Sequence, residues 1–161
     1  MKKSVVILIA IIYVGSIFII NLFGLKMSIY NERFPVERIE CINKEETGVK
    51  ISSTLFPVNG AHTPVSEWEK IPTIKIKFEG AGYVDENGIP QGTSFYLQTR
   101  VYPNNATEKT LDYKNYSNST TASIYQNSGL ILFSEKSSII VKITPTEKNN
   151  PTFLYVMVIA S

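Results

Sequence analysis

The chain has 161 residues, with 16 basic against 14 acidic side chains, a formal charge of +2, and one each of Cys, His and Trp. Three of the basic residues, Lys2, Lys3 and Lys26, flank an apolar segment, so the rest is close to neutral and offers no basic field to nucleic acid. A lone cysteine excludes an internal disulfide, and a single histidine lacks the paired ligand spacing of a zinc site.

The first predicted element is the uncharged run 4–25, rich in Ile, Val, Leu and Phe. As a helix it would extend roughly 33 Å at about 1.5 Å per residue, against a hydrocarbon core of roughly 30 Å. A cleaved signal peptide has a shorter apolar run and a small-residue cleavage site, and no Ala-x-Ala pattern follows here. The reading is a transmembrane signal-anchor over 4–25, whose partner is the lipid bilayer. Residues 1–3 form a cytoplasmic tip and 26–35 a stalk that Pro35 closes. The leader is short and carries Lys2 and Lys3. That keeps the amino end cytoplasmic, so the carboxyl domain is expected outside, on a single-pass protein of the cell membrane.

The remainder, 36–161, is expected to be one all-β domain. A first strand covers 36–43 and places Cys41 as a buried small hydrophobe. Residues 44–48 form a polar turn, and 49–56 a second strand with Val49, Ile51 and Leu55 on one face. The stretch 57–72 breaks the pattern with Pro57, Pro64, Pro72 and an Asn59-Gly60 turn signal. It also holds His62 and Trp68, which makes it the candidate recognition surface; the plainer role for Trp68 is to close one end of the core. Ser66 and Glu69 have capping-box spacing, which predicts a helical turn.

Residues 73–79 then alternate cleanly, with Ile74, Ile76 and Phe78 inward and Lys75, Lys77 and Glu79 outward. Asp85-Glu86-Asn87-Gly88 reads as a tight turn in preference to a calcium site. Further strands are expected at 95–102, 110–116, 121–125, 129–133, 138–144 and 153–160. Short strands at this spacing, with no helical period beyond the anchor, predict an antiparallel sandwich.

From Val101 onward the order of residues resembles the bacterial immunoglobulin-like domain, group 2, of intimin- and invasin-like surface proteins. The matching stretches are Val101-Tyr102-Pro103-Asn104-Asn105-Ala106-Thr107, Leu111-Asp112-Tyr113, Thr121-Ala122-Ser123-Ile124 and Gln126-Asn127-Ser128-Gly129-Leu130-Ile131, followed by strands at 139–143 and 154–158. Tyr113 stands where the family usually has Trp. The resemblance covers roughly 95–160, with 36–94 supplying the first strands and an enlarged loop. It implies an immunoglobulin-like β-sandwich of a bacterial cell surface, acting as a spacer, an adhesin or a subunit of an envelope complex.

No nucleophile elbow, phosphate loop or singled-out carboxylate pair appears, so no catalytic, metal or cofactor-binding residue is assigned and an enzyme is not expected. The expected partner is an extracellular protein or glycan. The alternative reading is a cell-surface carbohydrate-binding module using Trp68, favoured by an exposed Trp68 beside other aromatics. A pilin-like subunit shares the apolar helix, but 4–25 has no carboxylate.

Overall fold

The computed structural model describes residues 3–29, 32–60, 62–88 and 90–161, with the side chains of 10, 20–29 and 90 outside the description. Two compact units result, Met1–Arg33 and Phe34–Ser161.

The first unit contains helix α1, Lys3–Ile29. Ile7, Leu8, Ile9, Ile11, Ile12, Tyr13 and Val14 are all exposed, so apolar side chains project all round its axis. Among the described residues no helix is long and apolar enough to cross a membrane. The span expected at 4–25 includes Ala10 and residues 20–25, whose side chains lie outside the described set. The helix also continues through 26–29, so the first residues of the expected stalk are the last turn of the helix.

The second unit is all-β apart from one turn of 3-10 helix, Val65–Glu67. Its strands in chain order are β1 Arg38–Cys41, β2 Val49–Phe56, β3 Glu69–Ile76, β4 Tyr83–Val84, β5 Pro90–Gln91, β6 Thr93–Tyr96, β7 Thr99–Tyr102, β8 Leu111–Asn115, β9 Ala122–Ile124, β10 Leu130–Phe133, β11 Ser137–Pro145 and β12 Leu154–Ala160. A five-stranded sheet runs β2-β3-β12-β11-β8. A three-stranded sheet runs β6-β10-β9, β1 pairs with β7, and β4 and β5 form a small hairpin. All pairs are antiparallel except β3 with β12. The sheet is therefore mixed, which departs from the all-antiparallel expectation.

β6 and β7 are consecutive stretches of one strand that changes partners. Leu97 N donates to Gly129 O beside β10, and one residue later Gln98 O accepts from Ile42 N beside β1. Inward alternation continues across the change, through Thr93, Leu97 and Val101. The core joins both layers, with Ile74, Ile131, Phe133, Ile139, Val141, Ile143, Val156 and Val158 all at 0% exposure. Each such side chain contributes about 1.5–3 kcal/mol through removal from water.

Several local expectations shift. Val36 is buried in the core, and Phe34 is clasped by Thr107, so the domain begins inside the expected stalk. Leu55, expected on the inner face with Val49 and Ile51, is 48% exposed because β2 is an edge strand that overhangs the core. Cys41 is half-buried against the core, with its thiol on Asn43 Oδ1 at 3.3 Å. The turn at Val65–Glu67 forms, yet without a side-chain cap, and Glu69 belongs to β3. β3 starts before Pro72 because that residue's missing donor points toward β12, just outside a ladder that begins at Thr73.

Candidate recognition surface

Strand alternation sends Val156, Val158 and Ala160 into the core and puts Tyr155 and Met157 on the outer face of the five-stranded sheet. A second, smaller apolar cluster forms there, centred on Val58, Ile71 and Tyr155, with Phe56, Ile140 and Met157 packed against it. Val58 reaches this face because the turn after Pro57 folds the chain back, with Gly60 N donating to Pro57 O. On the same face the buried Thr73 donates from its Oγ1 to the half-buried Thr54 Oγ1 at 2.8 Å.

Tyr155 is 4% exposed and is ringed by aromatics. Its ring centroid lies 5.3 Å from Phe56, 4.9 Å from Tyr116 and 5.5 Å from Phe153, in edge or tilted geometries. Such offsets place the positive edge of one ring on the negative face of the next. Lys142, opposite Tyr155 in the β11–β12 ladder, holds its ammonium 5.3 Å from the Phe153 ring and 5.7 Å from the Tyr155 ring. Tyr116 and Phe153 are 41% and 44% exposed, so the cluster is open to a partner on its rim. Burial pushes the Tyr155 hydroxyl up from its ordinary pKa, and the charge and hydrogen bond of Tyr116 add to the shift.

A separate cleft of about 550 Å³ opens between β7 and β8. Gln98, Thr99, Lys109, Tyr113 and Ser128 are among its lining residues. Thr99 Oγ1 and Tyr113 Oη share a hydrogen bond of 2.7 Å, which ties the two layers together. Burial raises the Tyr113 pKa, and the Thr99 bond opposes part of that rise.

The residues singled out from sequence do not assemble into this face. His62 is exposed in a turn. Trp68 is half-buried, its Nε1 donates to Thr63 O at 2.9 Å, and it belongs to neither apolar cluster. Among the described residues the close aromatic pairs all involve Phe56, Tyr116, Phe153 and Tyr155. No group of three or more His, Cys, Asp or Glu suited to a metal occurs among the described residues. Asp85 Oδ1 accepts from Asn87 N at 2.9 Å, as the turn reading requires. Sequence reasoning singled out none of Tyr116, Phe153, Lys142 and Tyr155 for this face. Their convergence depends on how β2, β11 and β12 line up, and the one available signal was the outward aromatic and lysine in otherwise aliphatic strands.

No protein-family model, curated protein or solved structure matches the chain.

Proposed function

We propose that the protein is a membrane-tethered, extracytoplasmic immunoglobulin-like domain that binds a macromolecular partner through the outer face of its five-stranded sheet. The observation that carries this reading is the half-exposed aromatic rim, Tyr116 and Phe153, around the buried Tyr155 with Lys142 above it. Tyr and Phe are enriched in the cores of protein interfaces, and Tyr among their hot spots. The role is adhesion or assembly, and no catalysis is assigned.

The strand order supports the immunoglobulin-like part. With β4, β5 and the β2–β3 hairpin treated as insertions, the strands β1, β6–β7, β8, β9, β10, β11 and β12 take the places A to G. The neighbours β1, β7–β6, β10, β9 reproduce the A-B-E-D sheet, and β8, β11, β12 reproduce C-F-G. Apolar side chains on every side of α1 support the anchor, since such a helix needs an apolar surrounding.

External protease on intact cells carrying a tag at Ser161 tests the topology. The expected result is a membrane-bound tag that protease removes. A freely secreted tag overturns the anchor, and a protected one overturns the extracytoplasmic placement. Photo-crosslinkers at Tyr116 and Phe153, compared with one at Tyr83, test the face. Crosslinks confined to the first two are expected, and equal or absent crosslinking at all three overturns it.

A further inference from the structure

The free edge of β2 points to a second copy of this chain. β2 pairs with β3 so that Gly48 and the even-numbered residues turn their backbone groups inward, as Lys77 N donating to Gly48 O shows. Val49, Ile51, Ser53 and Leu55 therefore turn theirs outward. Among the described residues, the first half of this edge is closed within the chain at all but the Ile51 C=O. Val49 N donates to Glu46 O at 2.9 Å, Glu46 N to Val49 O at 3.3 Å, and Ile51 N to Glu45 Oε1 at 3.1 Å. The second half is open. Among the described residues the outward N–H and C=O of Ser53 and Leu55 have no partner, and Leu55 is 48% exposed. An open edge without proline or inward charge is a template for another strand.

We propose that two copies pair β2 with β2, antiparallel about a twofold axis through Thr54. In that register Ser53 N donates to Leu55 O of the second copy and Leu55 N to its Ser53 O, and symmetry doubles both bonds. The outward N–H and C=O of Ser53 and Leu55 are used in both strands. The next outward pair, Ile51 with Pro57, can add no bond: Ile51 N is held by Glu45, and Pro57 has no N–H to offer Ile51 O, which stays at the end of the ladder. The ladder therefore stops where the chain's own chemistry stops it. The two Leu55 side chains lie diagonally across the axis on one face and cover each other, while Ser52 faces Phe56 of the second copy on the other face. The contact is isologous, as a closed dimer requires. Joining the two five-stranded sheets makes one continuous sheet.

Disulfide trapping in the purified full chain, solubilised in mild detergent with Cys41→Ser as background, tests this register. Thr54 faces its own symmetry mate at about 4.5 Å between Cα atoms, the spacing of a non-hydrogen-bonded pair. Thr54→Cys should therefore form a disulfide dimer on mild oxidation. Ser52→Cys lies on the same face of the same strand, but its symmetry mate is about 14 Å away, four residues at about 3.4 Å each. It should crosslink at least about tenfold more slowly, because Cα atoms more than about 7 Å apart are not bridged. Adding Leu55→Lys, an exposed change that leaves the β3 ladder intact, should suppress the Thr54→Cys dimer. Equal trapping at 52 and 54, no trapping at 54, or trapping indifferent to Leu55→Lys overturns the proposal. Trapping of Thr54→Cys only by another protein also overturns it.

Discussion

Asn43 and Gln98 are joined where one strand leaves its sheet partner for another. Asn43 Oδ1 accepts from Gln98 N at 2.8 Å, and Asn43 Nδ2 donates to Tyr96 O at 3.0 Å. The single amide thus engages both sides of the interval between β6 and β7, where neither β1 nor β10 supplies a regular ladder. Asn43→Ala should destabilise the domain by about 1 kcal/mol, the usual net value of lost hydrogen bonds that water partly replaces. Urea denaturation followed by tryptophan fluorescence measures this, and an unchanged midpoint would count against the bridging role.

Gly129 holds a positive φ of 71° beside Tyr113. A Cβ there would stand 3.0 Å from Tyr113 Cε1 and 3.1 Å from Leu97 O. Gly129→Ala should cost at least about 1–2 kcal/mol from the left-handed conformation alone. A fall in denaturation midpoint larger than that of Gly88→Ala, a positive-φ site with open space around it, separates the steric part from the conformational part.

Alkaline pH should weaken the fold through Tyr113 and Tyr155. Both have a folded pKa raised above the ordinary tyrosine value, with burial the first cause. The folded state therefore keeps its protons where the unfolded chain has begun to lose them. Their stabilising contribution is complete below the unfolded tyrosine pKa and falls as pH rises toward the folded one. Tyr113→Phe should flatten the decline of the urea midpoint above about pH 10, the ordinary tyrosine pKa. An unchanged slope would refute this linkage.

Cys41 should react slowly with iodoacetamide in the folded protein. Burial raises its thiol pKa, and the hydrogen bond involving Asn43 only partly opposes this. Since the thiolate is the reactive form, alkylation at pH 8 should accelerate on unfolding. Equal rates in buffer and in denaturant would show an accessible thiol.

A chain lacking residues 1–33 should be soluble and β-rich by far-UV circular dichroism, because Phe34–Ser161 contains both apolar clusters. An aggregated or helical product would show that the domain needs its helix in order to fold.

The strands from 93 onward were legible because their burial alternates residue by residue, and alternation is a local pattern. Leu111 and Tyr113, Ile131 and Phe133, and Ile139, Val141 and Ile143 all lie inward, every second residue of their strands. The parallel pairing of β3 with β12 was not legible, since it joins segments about 80 residues apart through register alone. The same reason hid the aromatic face. Phe56, Tyr116, Lys142 and Tyr155 sit on four different strands or strand ends, and no spacing in the chain brings them together. Trp68 attracted attention by composition, whereas its indole is spent on the Thr63 carbonyl of its own loop.

The clasp at Phe34 has a mechanical consequence. Phe34 N donates to Thr107 Oγ1 at 3.0 Å, and Thr107 N returns a bond to Phe34 O at 2.9 Å. Beyond them lie the bonds at Val36 and Glu37 and the four-residue β1, while the far side of the domain is tied by the nine-residue β11 along β12. A pull entering at Phe34 is borne first by these two hydrogen bonds, then by the bonds that Asn150 Nδ2 and Thr152 Oγ1 give to Val36 O and that Glu37 N gives to Tyr102 O, and then by the four-pair β1–β7 ladder. Under load the first strand would peel away before the sheet that carries the aromatic face is strained. The domain would lengthen like a fuse under tension and rewind when the tension drops.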